Sequence, residues 1–199
     1  EARQRGYVRE HYFTETDGTA RHDFAEGPVL DAGCGAGRDA LYFQERYDTL
    51  AADVSPHAAR ERGVEGVATM DMFALPVPAG AVRTVHCHGT QAQFARSAVG
   101  LAGLLAEFAR VTDDRGRATV DAHDPTHPDA EQLFGYRSDP RPGVGWRGFH
   151  FEFGDLVGET LWFRLRSPAR FRAAVAATEW SVADVLGEGS RHYVVCLRK

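Results

Sequence analysis

VLDAGCGAGRDALYF, residues 29–43, is the stretch on which the reading of this chain turns. A short apolar run leads into Asp31, glycines follow at positions 33, 35 and 37, and a helical pattern then begins. Glycine loses more backbone freedom on folding than any other residue, so three within five positions imply a geometry that demands them. In a strand–glycine loop–helix unit the glycines let backbone approach a ligand closely, and the helix start offers unpaired N–H donors. Such a loop falls at the carboxyl end of its strand, where open α/β sheets bind their ligands.

On both sides of this stretch, strands and helices alternate. Residues 28–32 read as a buried strand, 36–47 as a helix and 49–54 as a second strand, and Pro56 opens a helix running to about Arg62. Segments 66–70, 81–88 and 117–122 read as the third, fourth and fifth strands. Between the last two, residues 101–111 place Leu101, Leu104, Leu105 and Phe108 at i, i+3, i+4, i+7, which predicts a helix. Beyond the fifth strand, 146–153 and 161–166 alternate aromatic and polar residues, as an inserted antiparallel strand pair would. Ser167-Pro168 begins another helix, with serine as N-cap and proline in the first turn. Segments 181–186 and 192–198, joined by GEGS, close the chain as a hairpin. The fold class predicted is α/β: a doubly wound, mostly parallel seven-stranded sheet with a C-terminal antiparallel hairpin. One domain over 1–199 is expected, divided into a lid-like lead (1–27), a ligand-binding core (28–123), a substrate-side insertion (124–166) and a C-terminal helix and hairpin (167–199).

Composition limits what the chain does. With 199 residues, 43% hydrophobic and 26% charged, it has the make-up of an ordinary globular domain. The net charge is −5, Lys199 is the only lysine, and no basic cluster marks a nucleic-acid partner. The apolar runs are too short to span a membrane, and no signal-peptide pattern opens the sequence. Cys34, Cys87 and Cys196 are odd in number and far apart, which suits reduced thiols in a cytoplasm rather than disulfides or a zinc site.

Asp53 ends the second strand 20 residues after Gly33, the offset at which a carboxylate can accept both hydroxyls of a ribose. That points to a nucleoside ligand. Asp31, just before the glycines, would repel a pyrophosphate and tolerate a ligand carrying an ammonium or sulfonium charge.

At these residues the chain resembles the class I S-adenosylmethionine-dependent methyltransferases. VLDAGCGAG resembles that family's first motif and LAADVSP its second-strand acidic motif. GVATMDMFALPVPAG resembles its adenine-binding loop, and LAEFARVTDDRGRATV its helix and fifth strand. The resemblance covers about 28–123 and resumes over 167–198. It implies a Rossmann-like fold, S-adenosyl-L-methionine as cofactor, and methyl transfer. The roles it implies place Gly33, Gly35 and Gly37 around the methionine portion, Asp31 at its ammonium and Arg38 at its carboxylate. Asp53 and Val54 would meet the ribose, and Asp71 with the Met72 backbone the adenine, while the backbone at Cys87 and His88 would touch the amino-acid end. The chain departs from the family's pattern where the fourth strand opens Val82-Arg83-Thr84 instead of Phe-Asp, and where DDRG replaces a KPGG turn. No Asn/Asp-Pro-Pro-aromatic motif follows the fourth strand, and together with the acidic charge this favours a small-molecule acceptor.

Two histidine groups lie at the ligand end of the predicted sheet. His86 and His88 share one side of a strand, and HDPTHPD gathers His123, Asp124, His127 and Asp129. Three or four convergent ligands would be needed for a metal, so none is expected. His88 and His123 are the general-base candidates, because imidazole titrates near neutral pH. The insertion carries Phe134, Tyr136, Trp146, Phe149, Phe151, Phe153, Trp162 and Phe163. Tyr136 and Trp146, with Tyr7 and Tyr12 of the lead, are expected to line the acceptor pocket. Two other readings stay open: a nicotinamide-dependent oxidoreductase, against which the GxGxG spacing and Asp31 speak, and a non-catalytic nucleoside-binding module.

Overall fold

In the computed structural model, residues 12–199 are described. Val29–Ala32 (β1), Thr49–Asp53 (β2), Val67–Thr69 (β3), Val82–Cys87 (β4) and Thr112–His123 (β5) form the parallel part of the main sheet. The insertion holds Tyr136–Ser138 (β6), Val144–Phe149 (β7), Glu152–Phe153 (β8), Leu156–Val157 (β9) and Leu161–Arg166 (β10). Ser181–Leu186 (β11) and His192–Arg198 (β12) complete the main sheet in the order β11-β12-β5-β4-β1-β2-β3, with β11 and β12 antiparallel. This is the doubly wound, mostly parallel seven-stranded sheet with a C-terminal antiparallel pair that the sequence predicts.

β1 is fully buried along its length because it lies between two parallel neighbours, with Leu30 in register with Leu50 of β2 and Val85 of β4. Parallel strands covered on both faces need apolar residues at every position. Asp31 breaks that rule. The order reverses between β1 and β4, and at such a switch point the carboxyl ends splay apart into a crevice.

The helices are Ala20–Asp23 (α1), Arg38–Gln44 (α2), His57–Glu61 (α3), Ala98–Val111 (α4) and Pro168–Val175 (α5). α4 starts a turn before the predicted 101, because the Ser97 hydroxyl accepts from Gly100 N–H at 2.8 Å and so caps it. Its Leu101, Leu104, Leu105 and Phe108 are buried against the sheet, and Leu105 O accepts from Trp180 Nε1 at 2.7 Å. α2 is shorter than the predicted 36–47, since Gly37, at φ 79°, cannot be a helical residue and becomes its N-cap.

The insertion is more than a strand pair. β7 pairs with β10 as expected, but β6 joins its other edge, and a short hairpin of β8 and β9 replaces the single strand read to 153. β6 carries only three residues and too little alternation to be seen. Arg166, at the end of β10, clamps this sheet to the core. Its guanidinium donates to Gln93 Oε1 at 3.0 Å, to Ser97 O at 2.9 Å and to Ala95 O. Gln93 belongs to a short 3₁₀ turn, Gln91–Phe94, that follows β4.

Candidate active site

Where β1 ends, the chain turns sharply back over β2. Gly33 and Cys34 N–H both donate to Ala52 O, at 2.7 and 3.0 Å, and Gly33, Gly35 and Gly37 all have positive φ. Two of these glycines have separable jobs. A Cβ on Gly37 would stand 2.5 Å from Val64 Cγ2 and 3.2 Å from Ala59 Cβ, so this glycine, expected at the cofactor, lets α2 close on the layer beside it. Among the described residues, a Cβ on Gly35 would meet only Tyr12 Cδ1, at 3.8 Å, so on their side Gly35 keeps its backbone bare toward open space.

That space is a cavity of about 550 Å³. Asp31, Gly33, Gly35, Arg38 and His88 line one end. Asp121, His123 and His192 line its floor, and Phe134, Arg147, Phe149 and Phe163 from the insertion form the opposite wall. Tyr12 lines it as well, packing edge-on to Phe151 at 6.2 Å. Tyr7 lies outside the described residues.

Asp31 is the anomaly of the site. It is 2% exposed, its Oδ2 has no hydrogen-bond partner, and burial pushes its carboxyl up to about 7. His86 faces it across the β1–β4 ladder, Asp39 and Arg38 approach from α2, and Asp53 from the end of β2. A buried carboxylate oxygen without a donor is costly, and a cationic ligand in the cavity would relieve it. Cys34 stands beside it, and burial raises its thiol far above neutrality, so it is no nucleophile.

Arg38 lines the cavity but is tied to Asp39, with Nη2 to Oδ2 at 3.1 Å. Asp39 is the centre of a network the sequence did not disclose: His22 Nε2 at 3.0 Å, Arg21 at 3.2 Å and His86 Nε2 at 3.4 Å. Burial alone would raise the Asp39 carboxyl. Hydrogen bonds from His22, His86 and Arg38 outweigh it and hold the group well below the usual carboxylate range. The position of Asp39 in the first turn after the glycine loop was the available signal.

Asp53, Val54, Asp71 and Met72 lie outside that cavity. Asp53 Oδ2 accepts from Gly35 N–H at 2.8 Å and Oδ1 from Ser55 N–H at 2.8 Å, so it orders the glycine loop as well as the start of the next turn. Met70 N–H donates to Asp53 O at 3.1 Å, which brings the segment of Asp71 and Met72 alongside. Asp71 is exposed and accepts from Phe73 N–H at 3.0 Å, Met72 is buried, and Val54 is 73% exposed.

At the floor, three strand ends converge. His88 follows β4, Asp121 is on β5 and His192 begins β12. Asp121 Oδ2 lies 3.2 Å from His88 Nδ1 and 2.8 Å from His192 Nε2. Gly89 and Thr90 N–H donate to the same carboxylate at 3.1 and 2.7 Å. Thr90 does so from φ 61°, the one positive-φ residue other than glycine among those described. Burial holds both His88 and His123 down to about 4, so at neutral pH these rings are uncharged and the negative charge rests on Asp121. Asp121 and His192 were not singled out in the sequence, being far apart in the chain.

The aromatic wall corrects the expected acceptor residues. Alternation along β7 turns Arg147 and Phe149 to the cavity and Trp146 away from it. Trp146 instead donates from Nε1 to Asp139 at 2.8 Å with Arg164 over its ring. Tyr136 packs with the small core of the insertion around Phe149, Phe163 and Leu165, and does not line the cavity. Arg147 is buried, donates from Nε to Phe134 O at 3.0 Å and covers the Phe149 ring at 4.5 Å.

With a glycine loop over a buried orphan carboxylate, and an acidic residue at the next strand end, the comparison with known proteins is specific. Residues 29–116 match the family described as a methyltransferase domain. The matched stretch runs from the start of β1 to the turn inside β5. No curated protein matches it in sequence. Among solved structures it is similar to an S-adenosylmethionine-dependent methyltransferase from Bacteroides fragilis in complex with S-adenosyl-L-homocysteine. That likeness has 20% identity and a TM-score of 0.68, over 87% of this chain and 72% of that one. It is similar too to the 1,6-didemethyltoxoflavin-N1-methyltransferase of Burkholderia thailandensis, with 18% identity and a TM-score of 0.57, over 86% and 70%. An amino pentose methyltransferase from Micromonospora echinaspora shares 20% identity with a TM-score of 0.57, over 85% and 82%. Among the described residues of this chain, no helix is long and apolar enough to cross a membrane.

Proposed function

We propose that this protein is a methyltransferase that carries a methyl group from S-adenosylmethionine to a small-molecule acceptor held between the glycine loop and the aromatic wall. The observation that carries the reading is Asp31 Oδ2, buried without a donor at the end of the cavity that the bare backbone of Gly33 and Gly35 also lines. S-adenosylmethionine is the cofactor; when bound it supplies a methyl group made electrophilic by its sulfonium. Asp31 would hold the ammonium group. Asp53 and Val54 would meet the ribose, and Asp71 and Met72 the adenine, on the ledge beside the loop. Arg38, which lines the cavity beside the glycine loop, would steady the ligand carboxylate. The protein's part is alignment and exclusion of water, the larger share of catalysis in a displacement that needs no covalent intermediate.

His88 and His123 are the groups placed to take a proton from the acceptor. Both are neutral and line the cavity, although a ring held down near 4 is a weak base. Support for a small acceptor comes from the cavity's size and from two structural neighbours, one holding 1,6-didemethyltoxoflavin and one described as an amino pentose methyltransferase. The division into lead, cofactor core (28–123), acceptor insertion (124–166) and C-terminal hairpin, and a cytoplasmic location, belong to the same reading.

Calorimetry tests the cofactor half. S-adenosylhomocysteine is expected to bind in the micromolar range and NAD far more weakly. Asp53→Ala removes a charge-assisted contact to the ribose worth about 1.5–3 kcal/mol, a loss of roughly 10- to 150-fold. An unchanged affinity in the folded variant would place the ribose elsewhere. The acceptor half is tested by Phe149→Ala. It is expected to leave S-adenosylhomocysteine affinity within about threefold while turnover, followed as S-adenosylhomocysteine released from a metabolite mixture, drops at least tenfold, since most of the ring's apolar contact with the acceptor is removed. Equal turnover in variant and parent would remove the insertion from acceptor recognition.

A further inference from the structure

We propose that His88, Asp121 and His192 bind a divalent transition-metal ion of the zinc type at the cavity floor, where it would coordinate an oxygen of the acceptor. This extends the methyl-transfer reading by assigning the acceptor a class, one bearing a hydroxyl or carboxylate, and it rests on that reading only for the acceptor's place; with the ion bound, His88 is a ligand and His123 is the group left to take the acceptor's proton.

Three ligands of the right kind converge there. One ligand atom from each residue lies within 4.8 Å of the other two, and Asp121 Oδ2 is 3.2 Å from His88 Nδ1 and 2.8 Å from His192 Nε2. Atoms about 2.0–2.2 Å from a tetrahedral zinc stand roughly 3.3–3.6 Å from one another, so small adjustments would open the triangle to a cation. Two imidazoles and one carboxylate with a free position form a common donor set for catalytic zinc and related metals. The side facing the cavity is open: all three residues line it, and the His192 side chain is 40% exposed.

Two observations separate this cluster from an ordinary polar network. First, His88 Nδ1 is buried and has no hydrogen bond of good geometry, and the same is true of His123 Nδ1, whose ring stands 5.1 Å from that of His192. A solvating network would satisfy these nitrogens; a coordination site leaves lone pairs in hand. Second, the molecule contains a control. His22, Asp39 and His86 also bring three ligand atoms together. There Asp39 already carries ion pairs from Arg21 at 3.2 Å and Arg38 at 3.1 Å, so a metal would meet two guanidinium groups. Among the described residues no arginine bonds Asp121. Its other donors are the amides of Gly89 and Thr90, which orient the carboxylate without neutralising it, as supporting groups at metal sites do.

The test uses the full chain, freed of any histidine tag, stripped of metal by chelator and dialysed, then titrated with Co²⁺ and with Zn²⁺. One equivalent of Co²⁺ is expected to bind with visible d–d absorption and to be displaced by Zn²⁺, whose calorimetric Kd should be micromolar or tighter. His192→Ala, at a half-exposed position, and Asp121→Asn should each weaken Zn²⁺ binding about a hundredfold or more, with circular dichroism unchanged for at least His192→Ala. His22→Ala should leave it intact. The proposal is overturned if no stoichiometric ion binds, if His192→Ala and Asp121→Asn bind as the parent does, or if His22→Ala is the variant that loses the ion. S-adenosylhomocysteine titrations of the same samples keep the two readings apart. Metal bound without S-adenosylhomocysteine binding would count against methyl transfer alone, and the reverse against this site alone.

Discussion

Asp31→Asn is expected to abolish cofactor binding while making the empty protein more stable at alkaline pH. The substitution keeps the shape of the side chain and removes a charge that is buried with an oxygen lacking any donor. Burial raises this carboxyl from 3.8 to about 7, so the folded state holds a proton that the unfolded state has released between those values. The native protein therefore binds more protons than the unfolded chain in that window, and stability falls as pH rises from about 4 to about 7. Above 7 the whole penalty is present, and Asn avoids it. The gain should be about 2–4 kcal/mol at pH 8 and vanish near pH 4, read as the difference in denaturant midpoint at the two pH values. Binding moves the other way. A cationic ligand needs the carboxylate form, so S-adenosylhomocysteine affinity of the parent should weaken about tenfold per pH unit below 7. In Asp31→Asn it should be weaker by a hundredfold or more at pH 8, with no such dependence. A variant no more stable at pH 8 than the parent, or one that still binds tightly, would show that Asp31 has another partner.

Gly37→Ala and Gly35→Ala should fail in opposite ways, although they alter the same loop. At Gly37 the added Cβ meets Val64 at 2.5 Å in a backbone with φ 79°, so both packing and conformation resist it. The left-handed backbone costs about 1–2 kcal/mol for a non-glycine residue and the overpacking about 1–3, enough to lower the melting temperature by several degrees or more. At Gly35 the conformational cost remains, but among the described residues no atom other than Tyr12 Cδ1 lies near, so folding should survive. There the methyl group stands where the ligand would lie against backbone, and affinity for S-adenosylhomocysteine should drop at least tenfold. Thermal melts and calorimetry on both variants decide the matter. Equal stability losses with equal affinities would mean that neither glycine faces the ligand.

What the sequence made legible was local. The apolar run of β1, the glycines and the acid at the end of β2 lie close together in the chain, and each carries its signal in residue type. The C-terminal hairpin was equally plain, because alternation and GEGS mark it without help from the rest of the fold. Asp121 and His192 are 71 residues apart and meet only because β12 pairs with β5 beside β4. Nothing in either residue's neighbours announces that. The network on Asp39 likewise depends on α1 folding back to present His22. Trp146 shows a different limit. Glycines at 145 and 148 leave the phase of β7 undefined in sequence, so the largest ring drew the reading, while burial of Arg147 and Phe149 shows which side faces inward.

The turn at Gln91–Phe94 ties the two halves of the site together mechanically. Gln91 packs so closely against Gly33 that a Cβ there would stand 2.8 Å from Gln91 Cγ, and two residues later Gln93 accepts from Arg166, the clamp at the base of the insertion. Any displacement of the glycine loop would therefore meet Gln91 and, two residues on, the clamp that holds the wall. By thermodynamic reciprocity, whatever one ligand does to the affinity of the second is returned in equal measure. Cofactor and acceptor should thus bind as a cooperative pair, each raising or lowering the other's affinity by one shared factor.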